Sequence, residues 1–151
     1  MKELIEKFYS AFANGDAETM VSCYHENVTF EDPAFGKLEG SRAKDMWRML
    51  CKNGKDVKVE FSGIEADESN GKAYWEAKYT FSKTGRSVHN KVNAIFQFKD
   101  GKIIQHIDTF DLHQWASQAM GWKGKLLGGT GFFKKKLIQQ TNATLDKFIT
   151  S

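Results

Sequence analysis

The spacing of apolar residues changes at Val57, and that change restricts the fold more than any other feature of the chain. Before it, apolar side chains recur every three or four residues. After it they alternate, and residues 57–66, 72–82, 87–98 and 102–111 read as four long strands. The turns between them are Asn70-Gly71, the segment Lys83–Arg86 with Gly85, and Asp100-Gly101. Short turns between long consecutive strands imply an antiparallel meander. Strand 72–82 puts Ala73, Trp75, Ala77, Tyr79 and Phe81 on one face, so the sheet has an apolar side that helices must cover. The other side carries Lys91, Asn93, Ile95, Gln97, Ile103, Gln105 and Ile107. Neither dry nor strongly polar, it suits the contact of a homodimer.

The helices come first. Leu4, Ile5, Phe8, Ala11 and Phe12 make residues 2–13 amphipathic, and Asn14-Gly15 stops that helix. Asp16 caps a second, short helix carrying Ala17, Met20, Val21 and Tyr24. Val28–Asp32 is a short strand closed by Pro33, and residues 33–40 form a loop. Ser41 caps a third helix, roughly 42–52, with Ala43, Met46, Trp47 and Leu50 as its stripe. Past the sheet, residues 112–120 form a helix around Trp115, and glycines punctuate a flexible stretch over 121–131. Phe132–Ile149 is a long helix that lies over the open end of the sheet or docks on a partner. The expected fold is α+β. A curved antiparallel sheet wraps around N-terminal helices as a cone-shaped barrel with a cavity, followed by a C-terminal helical extension. Residues 1–115 form the domain and 116–151 its extension.

The final strand, KIIQHIDTFD, carries the chemistry. Ile104, His106, Asp108 and Phe110 share one face; Ile103, Gln105, Ile107 and Thr109 share the other. Ionisable groups on an apolar face are costly unless paired, so they are structural partners or functional groups. A three-residue loop, Lys99-Asp100-Gly101, sets Ala94 opposite His106, Val92 opposite Asp108 and Asn90 opposite Phe110. Asp108 then serves as a general base or acid, or closes a polar cluster. His106 orients it, shuttles a proton, or bonds the backbone. Asn90 fixes Asp108, donates to a substrate oxygen, or makes a cross-strand bond. Asp32 is a second carboxylate across the cavity mouth, or forms a turn before Pro33. Phe30, Phe35, Trp47, Trp75, Tyr79 and Phe110 line a pocket for a small apolar molecule or form plain core. Tyr9 and Tyr24 are further phenol donors with no assigned direction.

Composition excludes other classes. The net charge is +3, with cations spread out apart from Lys134–Lys136, so no nucleic-acid surface is expected. No apolar run reaches the ~20 residues of a membrane span, and no membrane partner is expected. Cys23 and Cys51 make no CxxC or zinc spacing and read as small helix residues in a cytoplasmic chain. His106 and Asp108 supply two metal ligands with no evident third, so neither metal nor other cofactor is expected.

The order of elements, with YSAFANGDAETMVSCYHENVTFEDP in front and KDGKIIQHIDTFD behind, resembles the nuclear transport factor 2-like superfamily, in its SnoaL-like and ketosteroid isomerase-like branch. The resemblance covers residues 3–115. It implies a cofactor-free isomerase, cyclase, lyase or hydrolase, or a binding module of the same fold. Glu31-Asp32-Pro33 matches the motif whose Asp is the isomerases' proton-abstracting base. Their two oxyanion donors fall on Phe8 and Ala94, which supply no donor, so steroid isomerisation is not implied. His106-Ile107-Asp108 matches the His-x-Asp setting of the catalytic Asp in SnoaL-like cyclases.

Overall fold

In the computed structural model, which describes residues 1–151, six strands form one curved, unclosed sheet. The elements run α1 (Lys2–Ala13), α2 (Ala17–Ser22), β1 (Tyr24–Asp32), β2 (Gly36–Glu39), α3 (Ser41–Asn53), β3 (Lys58–Ala66), β4 (Asn70–Phe81), β5 (Arg86–Lys99), β6 (Lys102–Thr109), α4 (Leu112–Met120), α5 (Trp122–Leu127) and α6 (Gly131–Thr150). The strand order is β2-β1-β6-β5-β4-β3. The meander is antiparallel as expected, but β1 joins it parallel to β6. The core lies between the concave face of the sheet and α1–α3. It includes Ile5, Phe8, Met20, Val28, Met46, Trp47, Val92 and Phe96.

Four local expectations need correction. The loop over 33–40 contains β2, whose Leu38 is buried opposite Phe30. β1 begins earlier, at Tyr24, so that tyrosine sits on a strand and not on the second helix. Ser41 opens α3 without capping it. The glycine-rich stretch is not simply flexible, because α5 forms within it.

The β5–β6 register also differs. Lys99 pairs with Lys102 across a two-residue turn, with both Asp100 and Gly101 at positive φ, as a type I′ hairpin requires. A bulge follows, with Phe98 opposite Ile103 and Gln97 opposite Gln105, so Ile104 is the extra residue. Phe96 therefore faces His106 and Ala94 faces Asp108, two residues from the expected pairing. A slip of two preserves the face. His106 and Asp108 still point inward, and the bulge turns Ile103 into the core instead of leaving it on the outer side.

α6 packs against α3 and the turn that follows β1. Leu145 is fully buried in the main core, and Leu137 packs in a second cluster with Val88, Trp115, Ala116 and Ala119. Polar latches hold the helix. Thr141 Oγ1 donates to the Ala34 carbonyl and Asn142 Nδ2 to that of Phe35. Arg42 donates to Asn142 Oδ1 and to Asp146. The helix thus packs on α3, on the turn at Ala34 and Phe35, and on α4 of its own chain.

Candidate functional site

A buried chain of polar side chains crosses the core and ends on Asp108. Trp47 Nε1 donates to the Tyr24 hydroxyl at 2.8 Å, and that hydroxyl lies 2.8 Å from His106 Nδ1. His106 Nε2 lies 2.8 Å from Asp108 Oδ1, which also receives Trp75 Nε1 at a longer 3.4 Å. His106 is 0% and Asp108 3% exposed.

The direction of these bonds follows from the donors. An indole N–H only donates. The Tyr24 oxygen therefore accepts from Trp47 and sends its own proton to Nδ1, which leaves the proton of a neutral imidazole on Nε2 to be donated to Asp108. Reversing any link strands a buried proton without an acceptor, so the network itself selects the tautomer. Every donor feeds one carboxylate oxygen. Asp108 Oδ2 has no protein partner.

Tyr9, on α1, has a fully buried hydroxyl that makes no hydrogen bond. Burial first, then the charge of Asp108, push its pKa well above the ordinary phenol value, so it stays a neutral donor. The rings of Phe8, Phe61, Trp75 and Phe96 surround it.

Of the residues expected to act with Asp108, His106 is bonded to it directly, whereas Asn90 is not. The register sets Asn90 opposite Ala77, four residues from Ala94 along β5 and so roughly 13 Å from the Asp108 rung. Asp32 makes the turn its sequence setting suggested, since its Oδ1 accepts from the backbone N–H groups of Ala34 and Phe35. No group of three or more His, Cys, Asp or Glu side chains converges anywhere as a metal cage.

The sequence profile of the SnoaL-like domain family matches residues 5–106. The chain belongs to the SnoaL-like family. The superfamily is the nuclear transport factor 2-like one. No curated protein matches this SnoaL-like chain by sequence. Among solved structures it is similar to a candidate polyketide cyclase from Xanthomonas campestris pv. campestris, with a TM-score of 0.64 and 19% identity over 77% of this chain and 93% of that one. It is also similar to an LEH-like epoxide hydrolase from M. tuberculosis, with a TM-score of 0.61 and 22% identity over 83% and 89% of the two chains. A candidate SnoaL-like polyketide cyclase from Jannaschia sp. CCS1 gives a TM-score of 0.67 at 12% identity, over 77% and 88%. At these identities the likeness establishes the fold alone.

In this SnoaL-like fold the residues expected to line a pocket lie in the main apolar core or against it. Phe30, Phe35, Trp47 and Trp75 are buried in the main core, with Tyr79 and Phe110 half-buried against it. Phe96, Phe30 and Phe8 hold the His106 ring, their centroids 4.4, 5.1 and 5.5 Å away. Two surface hollows lie elsewhere: one at the β3–β4 turn by Asp67 and Lys72, the other by Asp56, His89 and Gln118. The sequence offered Tyr24 and Tyr9 as phenol donors but not where their hydroxyls point. Tyr24 follows Met20 by four residues and so mimics a helix stripe. Tyr9 continues the Ile5, Phe8, Phe12 stripe, and nothing in that spacing shows an unpartnered hydroxyl.

Burial raises the Asp32 carboxyl pKa to about 7, with Asp108 adding to the rise and the two backbone bonds opposing it. The folded state thus holds this proton more tightly than the unfolded chain. The stability it contributes is full below about pH 4 and is lost as pH climbs through about 7. Asp32→Asn keeps an oxygen for the Ala34 and Phe35 N–H groups and removes the charge. Chemical denaturation should show a gain of roughly 2–4 kcal/mol at about pH 8 and little change at about pH 4.

Proposed function

We propose that this SnoaL-like protein is a cofactor-free acid–base enzyme for a small, largely apolar molecule bearing an enolisable carbonyl or an epoxide, with Asp108 as the group that moves the proton. The carrying observation is the one-way donor chain, which loads Oδ1 of Asp108 and leaves Oδ2 without a protein partner, while the unpartnered Tyr9 hydroxyl feels the charge of Asp108. Oδ2 takes a proton from carbon or from an attacking water. Tyr9 donates to the substrate oxygen as it gains negative charge. His106 and Tyr24 act as positioning residues, and Asp32, titrating near neutrality, can return a proton. The chemistry named for the fold's relatives, polyketide cyclisation and epoxide hydrolysis, supports this class.

One observation favours a second reading, ligand binding without turnover: Asp108 is almost sealed from solvent. Tyr9→Phe separates the two. Removing a buried hydroxyl that bonds nothing should stabilise the fold by about 1 kcal/mol. The same change should lower turnover of enolisable polyketide-type ketones or small epoxides by roughly a hundredfold. A variant as active as the wild type would remove Tyr9 from the chemistry. A wild type that binds such molecules and converts none would establish the second reading.

A further inference from the structure

The surface formed by α5 and the start of α6 is built in reverse of an ordinary amphipathic helix. Glycines form the inner face of α5. Gly124 and Gly128 lie against α4 so closely that a Cβ on either would collide with Ala116. His113 Nε2 bonds the Lys125 carbonyl at 2.6 Å and fixes the helix there. The large apolar residues face outward: Trp122 is 70%, Leu126 69%, Leu127 54% and Phe132 72% exposed. Thr130 ties the two helices together by bonding the Leu127 carbonyl and capping Phe133 N–H.

The charge around this patch has one sign. Lys123, Lys125, Lys134, Lys135 and Lys136 are all exposed, and no acidic residue occurs between Asp111 and Asp146. Lys123 and Lys136 reach over the rings of Trp122 and Phe132. A second copy of the chain is a poor occupant, because pairing the patch with itself would oppose the two sets of lysines. A nucleic acid would use the lysines, but Leu126 and Leu127 offer nothing to a base or a phosphate. An apolar tip with a cationic rim matches the boundary of an anionic bilayer, where aromatic and aliphatic side chains enter the headgroup layer and lysines meet lipid phosphates.

We infer that the α5–α6 tip docks this protein on anionic membrane surfaces. This is peripheral contact, since no helix is long and apolar enough to cross a membrane. It departs from the sequence-based expectation of no membrane partner.

Co-sedimentation of the full chain with phosphatidylcholine vesicles, with and without phosphatidylserine, tests the inference. Binding is expected only with phosphatidylserine and should weaken as salt is raised. The other three tryptophans are buried, so a blue shift in emission on vesicle addition reports Trp122. Trp122→Ser with Phe132→Ser, or Lys134→Glu with Lys135→Glu, should each reduce binding roughly tenfold or more. Circular dichroism should show an unchanged fold, because these side chains are exposed. Three outcomes would overturn the inference: no binding to anionic vesicles, equal binding to neutral ones, or a dimer that the Trp122→Ser and Phe132→Ser pair dissociates. Tight binding to RNA that survives the same pair would assign the lysines to another partner and overturn it as well.

Discussion

Replacing Asp108 with Asn is expected to leave the fold intact and lower turnover by about a hundred- to ten-thousandfold. The fold survives because the amide oxygen still accepts from His106 Nε2 and Trp75 Nε1 in the place of Oδ1. The amide nitrogen falls where Oδ2 stands, an atom without a protein partner, so no bond is lost. What disappears is a base able to accept a proton. Steady-state kinetics on an enolisable ketone or epoxide, with thermal melts in parallel, reads both halves of the expectation. A fully active Asp108→Asn variant would disprove the assignment of the base, and a collapsed melt would show that the carboxylate is chiefly structural.

The largest loss of stability is expected at His106. In His106→Ala, Asp108 keeps only the long bond from Trp75, and the Tyr24 hydroxyl loses its acceptor. Removing the main hydrogen-bond donor of a buried carboxylate costs about 3 kcal/mol or more. That is a large share of the roughly 5–15 kcal/mol that typically holds a domain together. The ring's contacts with Phe96, Phe30 and Trp47 are lost too. Urea denaturation measures the loss. A cycle with Asp108→Asn identifies its source, because once the charge is gone the double variant should be more stable than the two single losses predict. Strict additivity would mean that packing of the imidazole, not its bond to the carboxylate, sets the value.

The α+β class and the inward direction of His106 and Asp108 were legible because alternation survives a two-residue slip. The partners of those residues were not. A three-residue loop and a two-residue turn followed by a bulge read alike around Asp100-Gly101, and only tertiary packing decides that Ala94, not Val92, faces Asp108. Asn90 lost its expected neighbour for the same reason. Tyr24 shows a second limit. Its spacing from Met20 suits a helix, yet pairing with Ile103 on a strand 79 positions later in the chain places its hydroxyl against His106. The helix within 121–131 was hidden because glycines there serve close packing on α4 instead of breaking the chain.

The hydroxyl of Tyr24 and the ring of His106 belong to positions 82 apart in sequence. Their strands run side by side in the same direction, so no local hairpin can bring them together. Such remote pairings form late and slowly, after the closure entropy of the intervening loop has been met. The intervening meander, with Asp108 and both of its donors, can therefore assemble before Tyr24 reaches the imidazole. A downfield Tyr24 O–H resonance appearing during refolding would mark the moment this chain becomes native throughout.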